Sequence, residues 1–335
     1  MQEHDVVGIG NAIVDIIGRC DEAFLARHGC AKGSMQLVDA AAVAKLYDAM
    51  GPAVEISGGS GANTIVGVAS FGGRAGFIGK TADDQFGQVF GHDIRTAGVT
   101  FTTPPAAEGS EPTGRCLVLV TPDGQRTMNT FLGVSPQLGG GEVDAELIAP
   151  RASSISRAIC STGPRPRPRS GRPREIAAKA GRQVALSLSG CLLRRPASGR
   201  VPRADPRQRR HPVRQRGRDH LALSDELVRR GRAGARRPTP SSRRSRARRR
   251  AASSWARASR SPFPPRRWPK VVDTTGAGDL YAAGFLFGVA TGRDLETAGR
   301  LGSLAAAEII SHIGARPAAN ALHGAGAQNG LLVSV

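Results

Sequence analysis

Over residues 1–149 the chain alternates short apolar blocks with polar, glycine-punctuated turns. Val6-Val7-Gly8-Ile9-Gly10 is an apolar run ending in glycine, the pattern of a buried strand. Residues 38–50 (VDAAAVAKLYDAM) have helical composition, with Asp39 placed as the N-cap. Residues 57–73 (SGGSGANTIVGVASFGG) read as a glycine turn opening a helix that closes at Gly72-Gly73. AGFIGK (75–80) predicts another strand, and TGRCLVLVTPDGQRTMNTF (113–131) a hairpin around Pro122-Asp123-Gly124. The same texture returns at 270–316. KVVDTTGAGD predicts strand, turn and helix start, with Tyr281, Phe285 and Val289 forming an apolar stripe at i, i+4, i+8. After TGRD, the residues Leu295, Ala298, Leu301, Leu304 and Ile309 mark a further helix. Beyond Arg316 the pattern is ambiguous. Strands alternating with helices predict an α/β fold.

Residues 150–269 break this grammar. From Arg151 to Pro269 there is no Asn, only one Lys, and 14 Pro. Runs such as GPRPRPRSGRPR and SSRRSRARRR carry neither helical nor strand periodicity. A chain of that kind cannot bury enough apolar surface to offset its conformational entropy, so the block is expected to be largely disordered. One island, REIAAKAGRQVALSLS (174–189), reads as helix, glycine stop and strand. A GC-rich gene read in the wrong frame yields Arg, Pro, Ala, Gly and Ser while losing Lys and Asn. We therefore read parts of 151–269 as frameshifted coding sequence, back in frame near the island. A genuine basic insertion is the alternative.

Charge follows the same division. The formal net charge is +20, a value that usually points to nucleic acid or a membrane surface. Residues 151–270, however, hold 33 Arg and 2 Lys against 5 acidic residues, so the flanks together are mildly acidic. Five cysteines without C-x-x-C spacing argue against a disulfide framework or a zinc site. The acidic start MQEHDVVGIG lacks a secretory n-region, and the apolar stretch near YAAGFLFGVA is about half of what a bilayer requires. The expectation is a cytoplasmic protein with no membrane partner.

Three constellations could carry chemistry. Asp273-Thr274-Thr275-Gly276-Ala277-Gly278-Asp279 lies between an apolar run and a helix. The first turn of a helix has unpaired N–H groups and the positive dipole end, which suit a phosphate. Asp279 would sit beside that anion hole, able to take a proton from a hydroxyl. A plain strand–turn–helix junction with an acidic cap fits the same letters. Gly10-Asn11-Ala12-Ile13-Val14-Asp15-Ile16 places a carboxylate just past the first strand, where it could hold paired hydroxyls or simply meet solvent. Ser57-Gly58-Gly59-Ser60-Gly61-Ala62-Asn63-Thr64 offers close backbone approach, and Asn63 both donates and accepts, unless it faces solvent.

Three decoys are set aside. Gly8-Ile9-Gly10-Asn11-Ala12-Ile13 has Ile13 where a dinucleotide fingerprint requires Gly or Ala. Gly79-Lys80-Thr81 would need glycine at position 74 to end a P-loop, and Arg74 stands there. SSRRSRARRR lacks the interleaved aromatic residues of an RNA-binding surface.

The motifs, in this order, resemble the PfkB/ribokinase family of carbohydrate and nucleoside kinases. DTTGAGD with LYAAGFLFG is similar to its C-terminal signature, and SGGSGANT with GKTADDQFG (79–87) to its N-terminal glycine signature. GNAIVDI, GGSGANT and TGRCLVLVTPDGQRTM are most similar to the adenosine-kinase-like bacterial branch. The resemblance implies a ribokinase-like three-layer α/β/α sandwich with a small β lid, formed partly by segments near 16–38 and 113–131. Residues 1–149 would carry the lid and sugar site, and 270–335 the anion hole and base, on either side of the anomalous block.

The resemblance also implies roles. Asn11, Asp15, Gly58, Gly59 and Asn63 fall in the sugar site, Gly276, Ala277 and Gly278 in the anion hole, and Asp279 at the base position. ATP and Mg²⁺ are the implied cofactors, with K⁺ as a monovalent cation near Asp273, Thr275 and Gly314. The family's N-x-x-E motif, due within about 180–230, has no counterpart because that stretch contains no Asn. The leading reading is an ATP-dependent kinase acting on a hydroxymethyl group of a sugar or nucleoside, with a homodimer formed through the lid. A catalytically impaired product of a damaged kinase gene is the second reading. An arginine-rich nucleic-acid-binding protein on a kinase scaffold is the third.

Overall fold

The computed structural model describes residues 4–148, 158–162, 175–177, 179, 182–186, 271–318 and 320–332. Its elements begin β1 (Val6–Gly10), β2 (Ile13–Arg19), α1 (Glu22–Arg27), β3 (Met35–Leu37), α2 (Ala40–Ala49), β4 (Ala53–Gly58), α3 (Ser60–Ser70) and β5 (Ala75–Ile78). They continue as α4 (Gln85–Thr96), β6 (Val99–Thr100), β7 (Gly114–Val120), β8 (Arg126–Phe131), α5 (Ala145–Ile148), β9 (Ala158–Thr162) and β10 (Gln183–Leu186). The C-terminal part adds α6 (Ala277–Ala290), α7 (Leu295–Ile309) and α8 (Ala321–Gln328).

Two five-stranded sheets organise these elements. The core sheet runs β10-β9-β1-β5-β6, parallel throughout. Successive strand residues point to opposite faces, so each strand feeds two layers. Val6 and Phe77 join the large core with Ile65 of α3, Leu280 of α6 and Leu301 of α7. Val7 and Ile78 face the other way, onto Leu147, Ile148 and Ala177. The result is the expected α/β/α sandwich.

Absent side chains set the spacing of its layers. A Cβ on Gly8 would lie 2.3 Å from Ile65 Cγ1, so α3 rests directly on β1. A Cβ on Gly284 would lie 2.4 Å from the Leu301 carbonyl oxygen, so α6 and α7 are in near-backbone contact.

The second sheet, β3-β8-β7-β2-β4, is mixed and forms the lid. One face packs Ile16, Leu117 and Leu119 against Leu25 of α1 and Val43 and Leu46 of α2. Asp21 and Asp39 cap those helices, accepting from Phe24 N at 2.7 Å and Ala42 N at 2.8 Å. The hairpin between β7 and β8 turns at Gly124, whose φ of 79° needs glycine. The lid's other face carries Ile13, Ile17, Cys116, Met128 and Leu132 toward the cleft between lid and core. Lid and core meet at two short crossings, Asn11-Ala12 between β1 and β2 and Gly59 between β4 and α3.

Two expectations change. Tyr281, Phe285 and Val289 form the half-buried side of α6, while Leu280, Ala283, Phe287 and Gly284 are buried. Packed between α3 and α7, α6 is apolar all round, so one stripe carries no direction. Val271 and Val272 form no strand. They are 57% and 52% exposed, and Val272 N donates instead to the Ile310 carbonyl at 2.8 Å.

Within the anomalous block, the 174–189 island is helical at 175–177 and becomes β10 at Gln183–Leu186. Ala158–Thr162, which the sequence pattern had not marked, pairs with β1 along its whole length. The expected irregularity of the remainder falls outside the described residues.

Candidate active site

The site forms where the two crossings touch. Asp15 is the third residue of β2, opposite Ile56 of β4 and Cys116 of β7, so it lies within a lid strand rather than in the loop before it. Its carboxylate packs flush on Gly58, where a Cβ would come within 2.3 Å of Oδ2. Next in the chain, Gly59 has φ 89° and presses on the Asn11 carbonyl, which a Cβ would meet at 2.5 Å. Two adjacent glycines are therefore required for different reasons, one by the Asp15 carboxylate and one by backbone conformation.

From Gly59 the chain enters α3, whose first turns present Ser60 and Asn63 to the start of α6. Ser60 Oγ donates to Asp279 Oδ1 at 2.5 Å, and Asn63 Nδ2 approaches Asp279 Oδ2 at 3.5 Å, a long contact. Thr64 Oγ1 donates to the Asp279 carbonyl at 3.1 Å. Asp279 occupies the first turn of α6, after Gly276 at the N-cap with φ 77°. That glycine has no side chain to satisfy the first-turn N–H groups, which leaves a donor-rich helix end suited to a phosphate. The Mg²⁺ that would accompany such a phosphate would be held mainly by the phosphate oxygens and its own waters, so Asp279 need not ligate it.

Behind this turn, Asp273 is buried and accepts from Thr275 N at 2.9 Å and Gly314 N at 3.0 Å. Its Oδ2 also takes a short ion pair from Arg126 Nη2 of β8, joining lid to core. With that guanidinium on its carboxylate, the arrangement of Asp273, Thr275 and Gly314 does not fit a monovalent cation.

Asp15 feels opposing forces. Burial pushes its carboxyl up to about 7; Arg316 and Arg126 pull it down, while Asp279 pushes it further up. Arg316 is itself lowered to about 10, by burial, against the charges of Asp93 and Asp15.

Among the sequence-predicted residues, Asn11, Asp15, Gly59, Asn63, Asp273, Thr275, Gly276 and Asp279 line one cleft of about 1590 Å³. It lies at the carboxyl end of β1. Gly58 stands behind Asp15, Ala277 and Gly278 lie within the α6 turn, and Gly314 is buried behind Asp273. Three residues were missed. Ser60 stood inside a quoted motif without being singled out. Arg126 alternates with Met128 and Thr130 on the cleft face of β8, a period-two signal that the hairpin sequence did contain. Arg316 had no local signal at all.

A parallel-sheet sandwich with a β lid, and a cleft at their junction, is the ribokinase-like fold. The pfkB family carbohydrate kinase model matches residues 49–154 and 251–321. An adenosine kinase from Sinorhizobium meliloti superposes with a TM-score of 0.70 at 36% identity, over 98% of this chain and 100% of that one. A probable sugar kinase protein from Rhizobium etli CFN 42 gives 0.71 at 33% identity, over 99% and 100%. An uncharacterized sugar kinase of Archaeoglobus fulgidus is 60% identical over 47 residues, 14% of this chain. That match spans 19% of the relative's own length. The chain belongs to the pfkB family of carbohydrate kinases.

Proposed function

We propose that the chain is an ATP-dependent kinase that phosphorylates a hydroxymethyl group of a nucleoside or sugar. The observation that carries this reading is Asp279. It stands in the first turn of a helix without a side-chain cap, and its carboxylate is held by Ser60 and Asn63 beside the cleft that Asp15 also lines.

Bound ATP with Mg²⁺ would supply the phosphoryl group. The residues of the chain do the rest. Asp15 accepts from paired ring hydroxyls and so orients the acceptor. Asp279 takes the hydroxyl proton as that oxygen bonds to phosphorus and the bond to the leaving ADP oxygen breaks. The first-turn amides of α6 hold the charge on the transferring group. Catalysis of this kind rests on positioning and charge stabilisation.

Within the acceptor class, the lid favours a nucleoside. Ile13, Ile17, Ile56, Met128 and Leu132 make a mostly apolar roof over the cleft, better matched to a heterocyclic base than to a free hexose. The adenosine kinase from Sinorhizobium meliloti, 36% identical over nearly the whole chain, agrees with that choice. ADP release from ATP in the presence of adenosine, ribose or fructose tests it, and we expect adenosine to give the highest kcat/KM. A ranking led by fructose would overturn the nucleoside reading while keeping the kinase.

One observation favours a second reading. No Asn occurs from Arg151 to Pro269, so the N-x-x-E motif implied by the family has no counterpart. Turnover restored only in a chain with the reading frame corrected across 151–269 would assign this polypeptide to a damaged gene.

A further inference from the structure

We propose that Arg316 is a positioning residue that clamps the substrate loop onto the anion-hole loop and fixes the Asn63 amide against Asp279. This deepens the kinase reading and rests on it for the effect on rate. The segment Gly314-Ala315-Arg316, just after α7, touches both halves of the site. Gly314 N donates to Asp273 Oδ2 at 3.0 Å, and Ala315 lies where a Cβ on Gly276 would come within 2.9 Å. Arg316 then crosses to the other loop, with Nε donating to Asn63 Oδ1 at 3.2 Å and Nη2 to the Gly58 carbonyl at 3.2 Å.

The direction of these bonds decides how Asn63 sits. A guanidinium has only donors, so Asn63 must offer its oxygen to Arg316, which leaves Nδ2 facing Asp279. With Ser60 on the other oxygen, the Asp279 carboxylate is contacted on both sides. Packing alone is a weak reason for an arginine here. Its guanidinium lies 5.3 Å from the Phe90 ring centroid, and Nη1 is buried without a hydrogen-bond partner among the described residues. An apolar residue of similar volume would avoid the desolvation cost. The charges that face it are Asp15 from β2 and Asp93 from α4.

The test is a double-mutant cycle in the full chain: Arg316→Met, Asn63→Ala and the pair, with Arg316→Lys as the conservative variant. kcat and KM with adenosine are measured for each, and urea unfolding in parallel. Displacing a positioned group by about 1 Å costs on the order of 10²-fold, and that is the fall in kcat expected for Arg316→Met. Because Arg316 acts largely through Asn63, the pair should lose clearly less than the product of the two single losses, the remainder coming from the Gly58 bond. Arg316→Lys, which keeps the charge but cannot span both oxygens, should fall between wild type and Arg316→Met. Multiplying losses in the pair, or wild-type kcat in a folded Arg316→Met, would overturn the proposal. Should Arg316→Met not fold, the same cycle is run with Arg316→Lys. If the wild-type chain shows no turnover, the kinase reading fails, and the unfolding midpoints decide the clamp. Non-additive midpoints then support it and additive ones overturn it.

Discussion

Two carboxylates divide the work at the residue scale, and their surroundings say how to separate them. Asp15 is raised to about 7 by burial, so it gains its charge across the neutral range. A charged acceptor holds hydroxyls more strongly than a neutral one. The KM for the acceptor should therefore fall as pH rises from 6 to 8, and Asp15→Asn should flatten that dependence. The linkage to stability runs in the opposite sense. A carboxyl whose folded value lies above its unfolded value destabilises the fold as pH rises from the unfolded value, about 4, to the folded value of about 7. Thermal melting should accordingly show Asp15→Asn stabilised relative to wild type at pH 8, less so at pH 5, and little changed near pH 3. A wild-type KM that ignores pH would remove Asp15 from the hydroxyl-binding role.

At the scale of elements, the ion pair that ties lid to core among the described residues is the buried one between Arg126 of β8 and Asp273 beside the anion hole. Removing one partner of such a pair leaves an uncompensated charge, with a typical cost of about 3–5 kcal/mol. Arg126→Met should lose stability on that order in urea unfolding, although the side chain it introduces suits the neighbouring Met128 and Leu132. A loss below about 1 kcal/mol would mean that the pair is solvent-screened rather than a latch. Gly58, at the end of β4, gives a second test. Gly58→Ala puts a methyl group where the Asp15 carboxylate lies, so it should raise the acceptor KM while leaving the α6 turn undisturbed. An unchanged KM would show that Asp15 can move without consequence.

Across the whole molecule, what was legible in the sequence was what local chemistry encodes. Asp39 as a cap, the glycine stop at Gly72, the hairpin at Gly124 and the glycine-rich openings of α3 and α6 are each set by a few neighbouring residues. Burial direction in α6 was not legible, because a helix covered on most sides has no polar face to read. Nor was Arg316, whose role comes from contacts more than 250 residues away in the chain. The lid's place over the cleft depends on the two crossings at Asn11 and Gly59, which only the folded chain brings together.

The central claim is that this junction of lid and core transfers a phosphoryl group with Asp279 as the base. The most direct measurement is single-turnover phosphorylation of adenosine by the wild-type chain and by Asp279→Asn, read by ³¹P NMR of the product. The amide is nearly isosteric, so the α6 turn should survive, but it cannot accept the hydroxyl proton. We predict a phosphomonoester on the hydroxymethyl oxygen for wild type, and a rate lower by about 10²–10⁴-fold for Asp279→Asn with adenosine affinity retained. An Asp279→Asn chain that forms product at the wild-type rate would contradict the account.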